Sequence, residues 1–312
     1  MAFIRAFGSY LPSRVVDNAE LAALVGADPN WILKATGIEQ RRYADPSETV
    51  ATLGTRAAQD CLDAAGLSAA DIGLVLVSCG SNERRFPGPA TEIASNLGMS
   101  GTPAIDLPLA SAGSLFALSM AAGLSSTYRH ILVIGTEIMS RAIACEPAGR
   151  DTAILFGDGA GACLVSADTG CGRIVDSIIR SDGEFAGALR LELNSTVYME
   201  GRTIILQATR KIPRAILELL ERNGRKSDEI GTYLMHQANL NLITRVAAAL
   251  VVPESRFFRS IERYGNTSSA SLLIAASEWW HTNGRKLSAP VLLTAFGAGL
   301  NWGAVLIDSY TE

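Results

Sequence analysis

Helical and strand-like patterns alternate along the chain. Residues 51–66 carry apolar side chains at helical spacing and end in Gly66, a residue typical of helix C termini. Continuous apolar runs at 74–80 and 130–137 lie between polar loops, which is typical of parallel strands covered on both faces. The segment 152–166 predicts a strand, a glycine turn and a second strand. The pattern therefore predicts an α/β fold.

The second part of the chain repeats this plan. Residues 57–80 align without a gap with residues 215–238. Near the ends of the two parts, a Phe-Gly-x-Gly turn followed by a strand occurs at 156–165 and again at 296–307. Two matched landmarks in the same order indicate duplicated α/β halves.

The boundary between these halves falls in the small polar stretch 166–173. We therefore predict an N-terminal half at 1–168 and a C-terminal half at 169–312. No low-complexity linker separates them, which indicates rigid packing. A chain of 312 residues, of which 48% are hydrophobic, can bury a large core shared by both halves.

Composition and charge narrow the class of protein. Charged residues make up 19% of the chain and the net charge is −4, so the charge pattern does not favour nucleic acid or an anionic membrane. The N terminus lacks the basic-then-apolar plan of a signal peptide, and no apolar stretch is long enough to span a bilayer. Five dispersed cysteines indicate reduced thiols rather than disulfides or a zinc site. We expect a cytoplasmic protein without a metal site.

The stretch LPLASAGSLFAL at 107–118 raises the first chemical question. Ser111 precedes an apolar helical pattern, so it could cap that helix or act as a nucleophile at its N terminus. Pro108 indicates a sharp turn just upstream. Because the following helix is apolar nearly all round, its N terminus must be buried and must direct unpaired N–H groups at whatever lies there. The local pattern leaves both interpretations of Ser111 open.

Two further polar residues lie at places where chemistry is plausible. His236 follows the end of a predicted strand, where open α/β sheets place ligand sites. The other histidines, His130 and His281, are expected at the surface. Asn266 in YGNTSSASLLIAA fits either a capping cluster before a helix or an amide that donates into a buried pocket.

Taken together, these motifs resemble the ketoacyl-acyl-carrier-protein synthase III family of the thiolase superfamily. The resemblance runs through YLPSRVVDN, WILKATGIEQRR, FGDGAGA, MHQAN, GNTSSAS and FGAGLNWG. It implies a thiolase-like five-layered αβαβα fold, a homodimer and a Cys-His-Asn active site. In such a site an acyl group is loaded on the nucleophile from coenzyme A (CoA) or a carrier. A malonyl thioester is then decarboxylated and condensed with it.

The resemblance also implies roles for individual residues. His236 and Asn266 match the family histidine and asparagine, and Ser111 stands where the family has cysteine. The N–H groups of Ser111 and Ala298 match the oxyanion hole. The other matched positions concern substrate: Trp31 and Arg150 beside the CoA nucleotide, Gly201 and Asn239 along the pantetheine channel, Phe296 and Arg202 in the substrate site, and Phe86, which is lent across the dimer interface to the acyl pocket.

Three departures from the family pattern bear on this expectation. A hydroxyl is a far weaker acid than a thiol, so Ser111 needs a general base, for which His236 is the only candidate. The resulting oxyester is less reactive than a thioester, which predicts slow loading and condensation. Ala35 replaces an arginine that contacts the CoA phosphates, while Arg202 replaces an asparagine and supplies another cation.

We expect acyl-CoA and a malonyl group on acyl carrier protein as substrates, in fatty acid or polyketide biosynthesis, and no cofactor. Two alternatives use the same fold: acyl transfer to a hydroxyl or amine, and a non-condensing partner subunit. Asn266 argues against the first, because acyl transfer to oxygen favours a carboxylate that orients the histidine. Retention of both His236 and Asn266 argues against the second. Decarboxylation needs only a dry pocket and donors from these two residues.

Overall fold

The computed structural model describes residues 1–310. The strands are β1 (Ala2–Tyr10), β2 (Arg14–Asp17), β3 (Gln40–Tyr43), β4 (Leu74–Ser78), β5 (Ala104–Leu107), β6 (His130–Ile138), β7 (Asp158–Ser166), β8 (Gly172–Ser181), β9 (Leu189–Arg190), β10 (Tyr198–Met199), β11 (Thr232–Met235), β12 (Val291–Gly297) and β13 (Asn301–Ser309). The helices are α1 (Asn18–Val25), α2 (Pro29–Thr36), α3 (Val50–Ala65), α4 (Pro89–Asn96), α5 (Gly113–Leu124), α6 (Arg150–Ala153), α7 (Gly201–Arg222), α8 (Leu240–Leu250), α9 (Ile261–Tyr264) and α10 (Ser271–Thr282).

Nine strands form one sheet in the order β11-β12-β13-β8-β1-β7-β6-β4-β5. Each half uses the same plan, because β4 is parallel to β6 and β6 antiparallel to β7, while β11 is parallel to β12 and β12 antiparallel to β13. The halves meet where β1 pairs with β8. This topology confirms the duplication expected from the repeat. The predicted division after residue 168 falls between β7, which ends at Ser166, and β8, which begins at Gly172.

Helices pack on the outer side of each half of the sheet and between the two halves. Helix α3 packs on β1, β6 and β7, and α7 packs on β12 and β13. Helices α5 and α10 contact strands of both halves and form the middle layer. Close approach depends on glycine: a Cβ at Gly8 would lie 2.6 Å from the carbonyl oxygen of Ala57 in α3, and one at Gly161 would lie 2.6 Å from Leu273 Cβ in α10. The result is the expected five-layered αβαβα arrangement.

Two expectations from the sequence are wrong in detail. The first part of 152–166 is not a strand, since α6 extends to Ala153 and β7 begins only at Asp158. Gly159 and Gly161 lie inside β7 rather than in a turn. Glycine occurs at these positions because a side chain there would collide with α10. His130 is buried, with only 5% of its surface exposed.

Among the helices of residues 1–310, none combines the length and apolar character needed to cross a bilayer.

Candidate active site

Ser111 occupies a strained turn between β5 and α5. Its backbone φ is 61°, in the left-handed region that non-glycine residues rarely adopt. Ala112 takes the N-cap position of α5 without a side-chain capping bond, so the capping interpretation of Ser111 is wrong. The hydroxyl of Ser111 has no hydrogen-bond partner among residues 1–310. Gly113 allows the tight approach, because a Cβ there would collide with the side chain of Ser78.

The Phe-Gly-Ala-Gly turn of the C-terminal half packs directly against the turn that contains Ser111. A Cβ at Gly297 would clash with the carbonyl of Ala110 and would lie 2.8 Å from Ser111 Cβ. Only glycine therefore lets the end of β12 contact the serine turn. The turn brings the backbone of Ala298 to a cavity that Ser111 also lines.

His236 follows β11 and is held by the neighbouring strand. Its backbone N–H donates to the carbonyl oxygen of Thr294 at 2.9 Å, which continues the pairing of β11 with β12. The side chain is 2% exposed, and its Nδ1 lies 2.5 Å from the Ser271 hydroxyl oxygen. Burial lowers the pKa of His236 to about 3, because a charged imidazolium loses hydration there. The ring is therefore neutral at physiological pH.

Asn266 is fixed by the N-terminal half of the chain. Its backbone N–H donates to the carbonyl oxygen of Leu155 at 2.9 Å, and its carbonyl accepts from the N–H of Gly157 at 3.0 Å. The side-chain Oδ1 accepts from the N–H of Ser268 at 2.9 Å, but Asn266 is not a helix cap, because Thr267 is the N-cap residue of the 3₁₀ turn 268–270. The side-chain NH₂ has no acceptor among residues 1–310 and remains a donor. The oxygen of the amide therefore holds the turn before α10, while its NH₂ is available to donate to a ligand.

Ser111, His236 and Asn266 line one cavity of about 90 Å³. Three of the predicted substrate residues line it as well, namely Gly201, Asn239 and Phe296. Much of the remaining wall is apolar: Leu155, Phe156, Leu189, Met199, Ile204 and Leu242. A few polar groups therefore converge in a largely apolar space, where their electrostatic interactions are strong.

A second cavity of about 50 Å³ lies on another side of Ser111. Ala298 and Ser268 line it together with Ser111. The predicted oxyanion donors differ here: the N–H of Ser111 donates to the Ser268 hydroxyl at 3.0 Å, whereas the N–H of Ala298 has no acceptor among residues 1–310. An oxyanion held by both groups would have to displace the Ser268 hydroxyl.

Trp31 and Arg150 meet away from the cavities. The Arg150 guanidinium carbon lies 5.5 Å from the centroid of the Trp31 ring, and both side chains are partly exposed. Arg202 is exposed at the start of α7. Neither Trp31, Arg150 nor Arg202 lines either cavity.

The structure places Asn239 at the cavity and Phe86 outside it. The Asn239 side chain caps α8 by accepting from the N–H of Asn241 at 2.8 Å, and its Nδ2 donates to the Ala35 carbonyl at 3.0 Å. Both ends of this amide are therefore engaged within the chain, although the residue lines the cavity. Phe86 is 84% exposed in the loop before α4 and lines neither cavity of its own chain.

Sequence reasoning missed the residues that support the site. Glu137 is fully buried at the end of β6 and accepts from the N–H of Gly80, from Ser81 and from the Ser269 hydroxyl at 2.8 Å. Ser269 lies beside Ser268 and so connects this network to the Ser111 turn. A carboxylate within the apolar run 130–138, and the three serines of GNTSSAS, were the available signals.

Comparison with known proteins gives a consistent result. The family model 3-oxoacyl-[acyl-carrier-protein (ACP)] synthase III matches residues 105–183, and its C-terminal counterpart matches residues 220–309. The beta-ketoacyl-[acyl-carrier-protein] synthase III of Oleidesulfovibrio alaskensis is 38% identical over 98% of both chains. The crystal structure of 3-oxoacyl-[acyl-carrier-protein] synthase III from Aquifex aeolicus superposes with a TM-score of 0.94 at 34% identity, over 99% of this chain and 100% of that one.

A polyketide enzyme is also similar. The priming beta-ketosynthase of the R1128 polyketide pathway has a TM-score of 0.91 at 33% identity, over 99% of this chain and 97% of that one. Among residues 1–310, no group of three or more His, Cys, Asp or Glu side chains could hold a metal ion.

The layered sheet and the cavity between its halves define a protein of the thiolase-fold class. Within that class, the chain belongs to the 3-oxoacyl-[acyl-carrier-protein] synthase III family.

Proposed function

We propose that this protein condenses an acyl group with a malonyl thioester, with loss of carbon dioxide. The observation that carries the proposal is the convergence of Ser111, His236 and Asn266, drawn from both halves, on one largely apolar cavity. We propose a malonyl group as the acyl acceptor, carried on the acyl carrier protein that the names of the relatives mention. The product serves fatty acid or polyketide biosynthesis.

The reaction divides into two transfers. First, the Ser111 oxygen attacks the acyl thioester, the carbon–sulfur bond breaks, and CoA leaves as the thiol. Second, the malonyl thioester loses carbon dioxide, and its carbon–carbon bonding pair forms an enolate whose oxygen accepts hydrogen bonds from His236 and Asn266. The enolate carbon attacks the acyl ester, and Ser111 leaves and regains a proton. We propose no cofactor, because these bond changes need no oxidant or reductant and His236 and Asn266 supply the donors for the enolate.

Cations and an indole ring outside the cavity are available for the CoA nucleotide. Arg150 lies over Trp31, and Arg202 is exposed at the first turn of α7, whose residue Gly201 lines the cavity. Guanidinium groups bind phosphates well, and an indole ring can stack on adenine. We therefore propose acyl-CoA as the donor of the first acyl group.

We further propose a cytoplasmic homodimer. Strand β5 forms an edge of the sheet, and its residue Ile105 is 44% exposed. Phe86, in the loop before α4, also projects into solvent. An exposed strand edge with apolar side chains favours pairing with another copy. All five cysteines are unpaired, which supports a reducing compartment.

The test is to incubate the protein with acetyl-, propionyl- or malonyl-CoA and to measure its intact mass. An acyl adduct that maps to Ser111, and that is absent from the Ser111→Ala variant, supports the proposal. A malonyl acceptor on acyl carrier protein should then discharge the adduct as a 3-oxoacyl product. Discharge only to a hydroxyl or amine acceptor would contradict condensation. Absence of both an adduct and carbon dioxide release, with carrier protein present, would point to a non-condensing subunit.

A further inference from the structure

Ser271 is a buried serine beside His236 to which the proposed reaction gives no role. We propose that its hydroxyl is a positioning group that holds His236 with the proton on Nε2, so that the ring donates a hydrogen bond into the cavity instead of accepting one. This inference deepens the proposed function and rests on it for the identity of the substrate. The two can nevertheless fail separately.

The Ser271 hydroxyl has two hydrogen-bond partners. Ser271 Oγ lies 2.5 Å from His236 Nδ1, and the backbone N–H of Gln237 donates to the same oxygen at 3.1 Å. Among residues 1–310, these are the two groups that bond to it. A backbone N–H can only donate, so it uses a lone pair of Oγ and leaves the single hydroxyl proton still to be placed.

The proton of the neutral ring has two possible positions, Nδ1 and Nε2. If the Ser271 hydroxyl donates to Nδ1, the hydroxyl, the ring nitrogen and the Gln237 N–H are all paired. If Nδ1–H donates to Oγ instead, the hydroxyl proton has no acceptor, although Ser271 and His236 are each only 2% exposed. An unpaired buried donor is unfavourable. Nδ1 is therefore the acceptor, and the neutral ring carries its proton on Nε2.

A proton on Nε2 makes His236 a hydrogen-bond donor to the cavity. Asn266 uses its Oδ1 for the N–H of Ser268, so its NH₂ is a donor too. Two neutral donors thus face the cavity, which matches the oxygen of an enolate formed when a malonyl thioester loses carbon dioxide. The same tautomer offers no ring lone pair to the Ser111 hydroxyl, so it replaces the general-base role that the sequence led us to expect of His236. When Ser111 is acylated, its proton therefore ends on the departing CoA sulfur without passing through the imidazole.

The direct test is nitrogen-15 NMR of the full-length protein labelled only in histidine. The chain has three histidines, and the spectrum of a His236→Gln variant identifies the His236 signals by their loss. We expect the chemical shift of an unprotonated Nδ1 and a protonated Nε2 at neutral pH. The opposite pattern would overturn the inference while leaving the proposed condensation intact.

A functional test uses Ser271→Asp, which replaces the hydroxyl by a group that can only accept when ionised. The proton should move to Nδ1, so malonyl-CoA decarboxylation should fall by about 100-fold, as expected for the loss of one donor. Acylation of Ser111 by acetyl-CoA should be maintained or become faster, because Nε2 then has a lone pair. Equal loss of both reactions in a folded variant would contradict the inference.

Ser277→Ala is the matched control, since this serine is also buried in α10, at 1% exposure, but lies outside both cavities. It should leave both rates unchanged. If Ser271→Asp does not fold, the NMR measurement on the unaltered protein decides the question by itself. A protein with the expected tautomer that releases carbon dioxide but forms no condensation product would refute the proposed function and not this inference.

Discussion

The backbone N–H of Ser111 donates to the hydroxyl oxygen of Ser268 at 3.0 Å, and both residues have a left-handed backbone, with φ of 61° and 47°. They are 157 positions apart in the chain. This bond joins the serine turn before α5 to the 3₁₀ turn before α10. It also occupies one of the two N–H groups proposed to hold an oxyanion, so it links the stability of the site to its reactivity.

Removing that hydroxyl should separate the two effects. We expect Ser268→Ala to lower the free energy of unfolding by about 1 kcal/mol through the lost hydrogen bond. The Ser111 N–H would then be free for the oxyanion, so acylation should become severalfold faster. Ser268→Gly should give the same gain in rate with a smaller loss of stability, because glycine adopts a left-handed backbone without strain. Urea unfolding and the rate of adduct formation measure these quantities; slower acylation in Ser268→Ala would refute the expectation.

The nucleophile can be tested by Ser111→Cys. A thiol has a pKa near 8.5 and ionises far more readily than a hydroxyl, particularly at a helix N terminus. We expect acylation to be at least about tenfold faster, and condensation to follow, because a thioester is more reactive towards an enolate. Stopped reactions followed by intact mass give the rate. If the variant is folded and remains as slow as the serine protein, the surrounding cavity limits the reaction.

Gly297→Ala tests the contact between the two halves. Its Cβ would lie 2.8 Å from Ser111 Cβ, so the serine turn must shift. We expect acylation to fall by about 100-fold, as a displacement of roughly 1 Å does in other active sites. Gly123→Ala in α5 is the control, since a Cβ there meets open space, and it should stabilise the helix by about 1 kcal/mol without changing the rate. Unchanged acylation in Gly297→Ala would show that the serine turn tolerates the shift.

The buried imidazole predicts a specific dependence of stability on pH. The pKa of His236 is about 3 in the folded protein and near 6.5 when exposed, so the unfolded chain binds the extra proton between these values. His236 therefore contributes stability that is complete above about pH 6.5 and is lost as the pH falls, by about 1.4 kcal/mol per pH unit.

His236→Gln should remove this slope while other titrating groups remain. The comparison requires urea unfolding of both proteins from pH 4 to pH 7 (roughly the window set by the two pKa values). Parallel stability curves for the two proteins would mean that the folded imidazole titrates near its ordinary pKa. The decarboxylation rate should also stay constant across this window in the native protein, because the ring does not change charge.

The proposed dimer can be broken at the edge of the sheet. Ile105→Lys places a charge on β5, where two copies would pair, so we expect monomers in sedimentation velocity experiments. Leu217→Lys on α7 is the control, because Leu217 is 47% exposed but lies on the outer helical layer. A dimer that survives Ile105→Lys and not Leu217→Lys would place the interface on the opposite face of the molecule.

Local sequence patterns predicted much of the architecture. The helix that ends at Gly66 appears where helical periodicity placed it. The strands at 74–78 and 130–138 appear where the continuous apolar runs 74–80 and 130–137 placed them, because a strand covered on both faces is apolar throughout. The same local reasoning failed at 152–157 and inside β7. There the glycines are required by helix α10, which comes more than a hundred positions later in the chain.

Sequence by itself determined the α/β class, the duplicated plan and the small set of polar residues worth considering, since these depend on periodicity and residue chemistry. Only the tertiary structure decided what each residue does. The φ of Ser111 removed it from the helix cap, and the partners of His236 and Asn266 come from segments distant in the chain. Such contacts arise when whole layers pack together, and no local pattern records which hydroxyl will meet which imidazole.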